Sequence, residues 1–166
     1  MREISFEKVT DKSIHIVQEI VHSNKEYNVL ENGKECRSIK ELKEEFINGF
    51  SHSFLIKVGS NYVGLLDYLE ENPKDHFPWL GLLMIRKSEQ GKGYAKSAYD
   101  LYEERMRRTG KSAIRLGVLK ENKKSKKFWE NRGFSYFETK PFRNGKEVDV
   151  YQRLFSERLL LCNQHL

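Results

Sequence analysis

Between residues 80 and 106 the chain runs Leu80-Gly81-Leu82-Leu83-Met84-Ile85, then Gln90-Gly91-Lys92-Gly93-Tyr94-Ala95, and then places Ala95, Ala98, Tyr99, Tyr102 and Met106 at helical spacing. The first segment is apolar at every position, as a central strand covered on both faces must be. The last forms one helical stripe, closed by Gly110 as a C-terminal cap. What lies between them is a Gly-rich turn leading into a helix N-terminus. Backbone N–H groups there have no partner within the helix, and the helix dipole adds positive potential, so the turn reads as an anion cradle. Gly91 and Gly93 let a phosphate approach the backbone, and Lys92 adds a full charge at the rim. The alternative is a plain connecting turn.

Outward from this centre, the pattern predicts a mixed α/β order. A strand over 4–9 precedes a helix carrying Ile14, Val17, Ile20 and Val21, capped by Thr10 and Asp11. Residues 26–37 read as a polar connection into a helix over 38–47, with Gly49 as its stop. Strands over 53–58 and 62–69 flank Gly59-Ser60-Asn61, a hairpin loop. After the central helix come a strand over 113–119, a helix over 122–132 ending at Gly133, and strands over 134–137 and 148–154. The expectation is one domain over 1–166 with about four helices.

Composition narrows the function classes. The chain has 166 residues, 38% hydrophobic and 33% charged, with 10 Phe, 8 Tyr and 2 Trp, which argues for a folded core rather than disorder. No apolar run approaches the length of a membrane span, and residues 1–7 do not read as a secretory signal. Cys36 and Cys162 have no partner at disulfide-framework or zinc spacing, so no metal is expected and a reducing cytoplasm fits. The net charge of +6 is unevenly spread. Residues 86–132 hold 15 Lys and Arg against 6 Asp and Glu, and the remainder is slightly acidic. A local basic segment suits a polyphosphate ligand or nucleic acid, or else is a solvated face.

Two phosphate motifs fail. A dinucleotide G-x-G-x-x-G needs Gly at position 96, where Lys96 stands. Gly110-Lys111-Ser112 matches the end of a P-loop, but Arg105 holds the first-Gly position and the segment leaves a helix for a strand, the reverse of the required order. What remains is Gln90-x-x-Gly93-x-Ala95 after an apolar strand, followed by Asn122-x-x-Ser125-x-x-Phe128-Trp129-x-x-x-Gly133-Phe134. These two blocks, in this order, resemble the GNAT superfamily of N-acetyltransferases, most strongly over 80–134 and compatibly over 3–155.

The resemblance implies a mostly antiparallel sheet splayed at the cofactor site, acetyl-CoA as co-substrate, and direct attack of an amine on the thioester in a ternary complex. It implies that the diphosphate sits on the N–H groups of Gly91, Lys92, Gly93, Tyr94, Ala95 and Lys96, with Gln90 also among the cofactor-binding residues. The pantetheine arm would lie along Leu83, Met84 and Ile85, and Asn122, Ser125, Phe128 and Trp129 would contribute from the later helix. Asn122 is equally an N-cap. Where many relatives carry a Tyr that protonates the departing thiolate, this chain has Trp129, whose indole is no practical acid and which reads as channel wall or core. That departure supports an alternative, an acyl-CoA sensor without catalysis. Asp67, Glu70 and His76 are the candidate bases, with Asp75 in the same loop as His76. Lys123, Lys124, Lys126 and Lys127 open the later helix against its dipole, either to meet phosphates or as a solvated face. The acceptor would be a small-molecule or peptide amine. A membrane or nucleic-acid partner is not expected, except where a tRNA or ribosomal protein carries the acceptor amine. A homodimer is compatible with the family.

Overall fold

A computed structural model describes residues 3–155. Cys162 and His165 lie outside the described residues. Among the described residues, seven strands take the order β1-β2-β3-β4-β5-β7-β6: β1 Ile4–Lys8, β2 His52–Val58, β3 Asn61–Leu69, β4 Trp79–Ile85, β5 Ala113–Leu119, β6 Ser135–Pro141 and β7 Glu147–Leu154. Five helices accompany them: α1 Ile14–Ser23, α2 Lys25–Asn32, α3 Ile39–Phe46, α4 Tyr94–Arg108 and α5 Lys123–Asn131. The class is mixed α/β with a mostly antiparallel sheet, as expected, and with one helix more than expected.

The chain clusters into two compact units, one of residues 1–69 and 81–103, the other of 70–80 and 104–166. In the first, β1, β2 and β3 form an antiparallel ladder. One face of it buries Leu55 and Leu65 with Val17, Ile20 and Val21 of α1 and Leu42 and Phe46 of α3. These helical residues recur at the spacing of one stripe, which is why α1 and α3 lie on that core. The opposite face carries Tyr68, whose ring packs at a tilt against Tyr102 of α4 with centroids 5.1 Å apart.

Two local expectations are corrected. Ser13, and not Thr10 or Asp11, occupies the N-cap position of α1, and its hydroxyl bonds the preceding Thr10 main chain and makes no capping bond to a helix N–H. The polar stretch after α1 is a helix, α2, held by the buried Asn28 amide, which donates to the Val21 and Glu35 carbonyls at 2.7 and 3.0 Å. Ser38 caps α3 as its position predicts, accepting from the Glu41 N–H.

β4 is irregular in a way that the apolar run conceals. A Cβ on Gly81 would stand 3.2 Å from Asp67 Oδ2, and one on Gly64 would stand 2.9 Å from Ile85 Cδ1 and 2.5 Å from the Met84 carbonyl oxygen. Asp67 and Gly64 are three residues apart in β3 and therefore on opposite faces, whereas Gly81 and Ile85, four apart, should share a face. The alternation of β4 thus slips by one residue between them, the signature of a bulge. Only glycine at position 64 leaves room for the carbonyl that the slip turns toward β3.

In the second unit, β5 and β7 pair antiparallel along seven residues and β7 continues to β6. The parallel ladder of β4 with β5 consists of Trp79↔Arg115 and Leu80↔Leu116. Ile114, Leu116, Val118, Trp129, Phe134, Val150 and Tyr151 are buried here.

Candidate functional site

The turn after β4 is the most distinctive backbone in the first unit. β4 ends at Ile85, a short 3-10 turn follows over Lys87–Glu89, and α4 begins at Tyr94. Gly91 and Gly93 both adopt the left-handed region, with φ 80° and 82°, and a Cβ on either would meet nothing within 4 Å. A side chain there would be strained by the backbone itself and not by crowding. The first helical bond of α4 runs from the Ser97 N–H to the Gly93 carbonyl. Among the described residues, the N–H groups of Gly91 to Lys96 have no protein acceptor. Consecutive free donors in alternating conformations at a helix N-terminus form a concavity for an anion.

The side chains of this turn are less free than its backbone. Lys92 Nζ lies 2.8 Å from Glu89 Oε2, a pairing that raises the lysine pKa and occupies its charge. Gln90 turns back onto the strand: its Nε2 donates to the Ile85 carbonyl at 3.0 Å and to Asn24 Oδ1 at 2.9 Å. Asn24 and Ser23, at the end of α1, did not emerge from the sequence pattern.

Asp67 stands in β3 with its Oδ1 accepting from the Ser53 hydroxyl at 2.6 Å. Burial raises its pKa, against hydrogen bonds from Ser53 and Ser51 that lower it. Gly81, exposed and without a side chain, leaves Asp67 Oδ2 uncovered from that side.

The remaining candidates belong to the second unit. Glu70 is exposed where β3 ends. His76 is three-quarters exposed, has φ 64°, and places Nδ1 2.9 Å from Glu71 Oε1. Asp75 has structural partners throughout: the Phe77 N–H, Trp79 Nε1 and Arg115 Nη1 all donate to its carboxylate at 2.8 to 3.1 Å. Arg115 is further enclosed by the rings of Phe77 and Phe137, 4.0 and 4.3 Å from its guanidinium carbon.

Asn122 is the N-cap of α5, its Oδ1 accepting from the Ser125 N–H at 3.1 Å. Phe128 and Phe134 meet the buried Trp129 edge-on, at centroid distances of 4.8 and 5.3 Å. Of the four lysines that open α5, Lys126 is the internal one. Its Nζ donates to the Lys120 carbonyl and to Asp149, a buried carboxylate that also accepts from Thr139. That pair offsets the unfavourable dipole at this helix start.

A family model described as the acetyltransferase (GNAT) family matches residues 17–134, more than half of the chain. The chain belongs to the GNAT family. An uncharacterized N-acetyltransferase from the pepI 3′ region of Lactobacillus delbrueckii subsp. lactis is 34% identical over 65 residues, a match spanning 39% of this chain and 38% of that protein. The solved acetyltransferase from Thermus thermophilus superposes with a TM-score of 0.79 at 24% identity, covering 93% of this chain and 100% of that one. Spermidine N-acetyltransferase from Vibrio cholerae, in complex with CoA and spermine, gives 0.72 at 19% identity, covering 95% and 98%. The Salmonella typhimurium acetyltransferase that modifies the N-terminal serine of ribosomal protein L7/L12 gives 0.76 at 16%, covering 92% and 95%. At these identities the structures establish a shared GNAT fold.

Within that fold the free donors of residues 91–96 and the half-buried carboxylate of Asp67 both belong to the first unit. In the second unit, His76 pairs with Glu71 in its own loop, and Asp75 is taken by the Phe77 N–H, Trp79 and Arg115. Among the described residues, no cluster of three or more metal-ligating side chains occurs.

Proposed function

We propose that this GNAT protein transfers the acetyl group of acetyl-CoA to a primary amine by direct attack on the thioester. The observation that carries the reading is the run of N–H groups from Gly91 to Lys96 without acceptors, in a turn with room for a diphosphate. The pantetheine arm follows the main chain of Leu83 to Ile85, and an N–H there polarises the thioester carbonyl. The amine nitrogen attacks the carbonyl carbon, the C–S bond breaks, and the sulfur leaves as thiolate or takes a proton from solvent. A thiol with a reference pKa near 8.5 is a tolerable leaving group at neutral pH, so a dedicated acid in the place of Trp129 is dispensable.

Asp67 takes the proton of the attacking amine. Its support is a carboxyl whose pKa burial moves upward toward the working range, oriented by Ser53 and uncovered beside Gly81. The structural relatives include an enzyme on spermidine and one on a protein N-terminus, so either a small or a peptide amine suits the acceptor. The exposed Cys36 and the lack of a disulfide framework suit a reducing cytoplasm.

The test is release of free thiol from acetyl-CoA against a panel of polyamines, aminoglycosides, amino acids and peptides, with CoA affinity measured by calorimetry. Turnover with an amine is expected, and Gly93→Val should weaken CoA at least tenfold because a β-branched residue cannot hold φ 82°. Undiminished CoA binding by Gly93→Val would move the diphosphate elsewhere. CoA binding without thiol release across the panel would favour the sensor, the reading motivated by Trp129.

A further inference from the structure

The free donors of residues 91–96 are useful only if the turn that carries them is held at a fixed angle to β4, and left-handed glycines do not supply that stiffness. The tethers come from the far end of α1. Ser23 Oγ accepts from the Lys87 N–H at 3.0 Å and donates to the Ile20 carbonyl at 2.6 Å. Asn24 Nδ2 donates to the Ile85 carbonyl at 3.1 Å and also to the Ile20 carbonyl, while Asn24 Oδ1 accepts from Gln90 Nε2. Gln90 Nε2 closes the figure on the same Ile85 carbonyl. The carbonyl that ends β4 therefore receives two side-chain amides that also bond each other, one from the α1–α2 junction and one from the residue preceding Gly91. The sequence separations, 61 between Asn24 and Ile85 and 66 between Asn24 and Gln90, mark this as a tertiary clip and not local turn chemistry.

We propose that Asn24 is the positioning residue of the cofactor turn, clamping Ile85 and Gln90 so that the N–H groups of 91–96 converge on one diphosphate. The inference rests on the cofactor reading above and adds to it a residue outside both motif blocks. Asn24 touches no reacting atom. The end of β4 stays anchored to β3 by the Arg86 N–H on the Val63 carbonyl at 2.7 Å, so loss of the clip falls on the part of the ligand that the turn holds rather than on the arm along Leu83 to Ile85, a signature distinct from loss of fold.

The experiment compares acetyl-CoA with S-acetylpantetheine, which keeps the thioester and the arm but lacks the diphosphate, using the full chain and the best acceptor of the thiol-release panel. Asn24→Ala should raise KM for acetyl-CoA roughly five- to thirtyfold with kcat within about twofold, and should leave kcat/KM for S-acetylpantetheine near that of the parent. Gln90→Ala should likewise raise KM for acetyl-CoA, and the double variant should be little worse than either single one, since both remove one shared figure. Asn24→Asp, which keeps the acceptor for Gln90 and loses the donor to Ile85, should fall between parent and Asn24→Ala. Equal losses on both thioesters, or a parent-like KM for acetyl-CoA in Asn24→Ala, would overturn the inference while leaving the cofactor reading intact. Absence of CoA binding by the parent itself would overturn both.

Discussion

At the residue scale, the charged candidates divide by what already occupies them. Lys92 is engaged by Glu89, so replacing the lysine should alter CoA affinity little, whereas Glu89→Gln, which frees the lysine for the ligand, should tighten CoA about two- to fivefold at low salt by calorimetry. Asp67 is the reverse case, a carboxyl held by the hydroxyls of Ser53 and Ser51. Asp67→Asn keeps an oxygen for Ser53 and removes the proposed base, so kcat/KM should drop about 10²- to 10⁴-fold, with loss of the acid limb of the pH–rate profile. In the parent that limb should lie above the ordinary aspartate range, because burial raises this pKa. Trp129→Phe, enclosed by Phe128 and Phe134, should keep most of kcat if the indole acts only as packing. None of these partners could be read in advance: Glu89 and Lys92 are near in sequence, but which of Glu89 or a ligand claims the lysine is decided by the turn's conformation.

At the element scale, what could be read depended on whether apolar periodicity carried the element. α4 follows its stripe, with Ala98, Tyr99, Tyr102 and Met106 buried as spaced, and the β2–β3 hairpin follows its Gly-containing loop. α2 escaped because its one buried residue is Asn28, and a helix anchored by an amide to two carbonyls leaves no hydrophobic signature. The bulge of β4 escaped because a strand apolar at every position reads the same whether or not its alternation slips. Gly64 is the cost of that slip. Gly64→Ala must displace the Met84 carbonyl, and thermal melts should show a loss of about 1–3 kcal/mol, accompanied by weaker acetyl-CoA binding if Leu83 to Ile85 carry the pantetheine arm.

For the molecule as a whole, three carboxylates that are at least partly buried set opposing responses to acid. Burial works to raise the pKa of Asp75 and Asp149, but hydrogen bonds from Phe77, Trp79 and Arg115 to the first, and from Lys126 and Thr139 to the second, outweigh it and hold both low. With folded values below unfolded ones, the stability they contribute is present above the ordinary aspartate range and is lost as pH falls through the depressed values. Asp67, raised in the fold, has the opposite sign: stability declines as pH rises from the ordinary value through the raised one. Melts between about pH 2 and 8 should therefore show Asp75→Asn flattening the acid-side loss, and Asp67→Asn gaining stability at neutral pH while losing activity. The class, the strand order along the chain and the glycine turn between β4 and α4 were legible because glycine spacing and apolar runs are local. The clip of Asn24 on Ile85 and the enclosure of Arg115 were not, since each joins residues tens of positions apart.

Six successive amides without an acceptor among the described residues also make the turn a reporter of its own occupancy. Their protons should be among the fastest in the folded chain to exchange with deuterium, in contrast with the interior of α4 a few residues later. A diphosphate seated there would slow that one short peptide and little else. Exchange followed by mass spectrometry could then rank candidate nucleotides and thioesters before any acceptor amine is known.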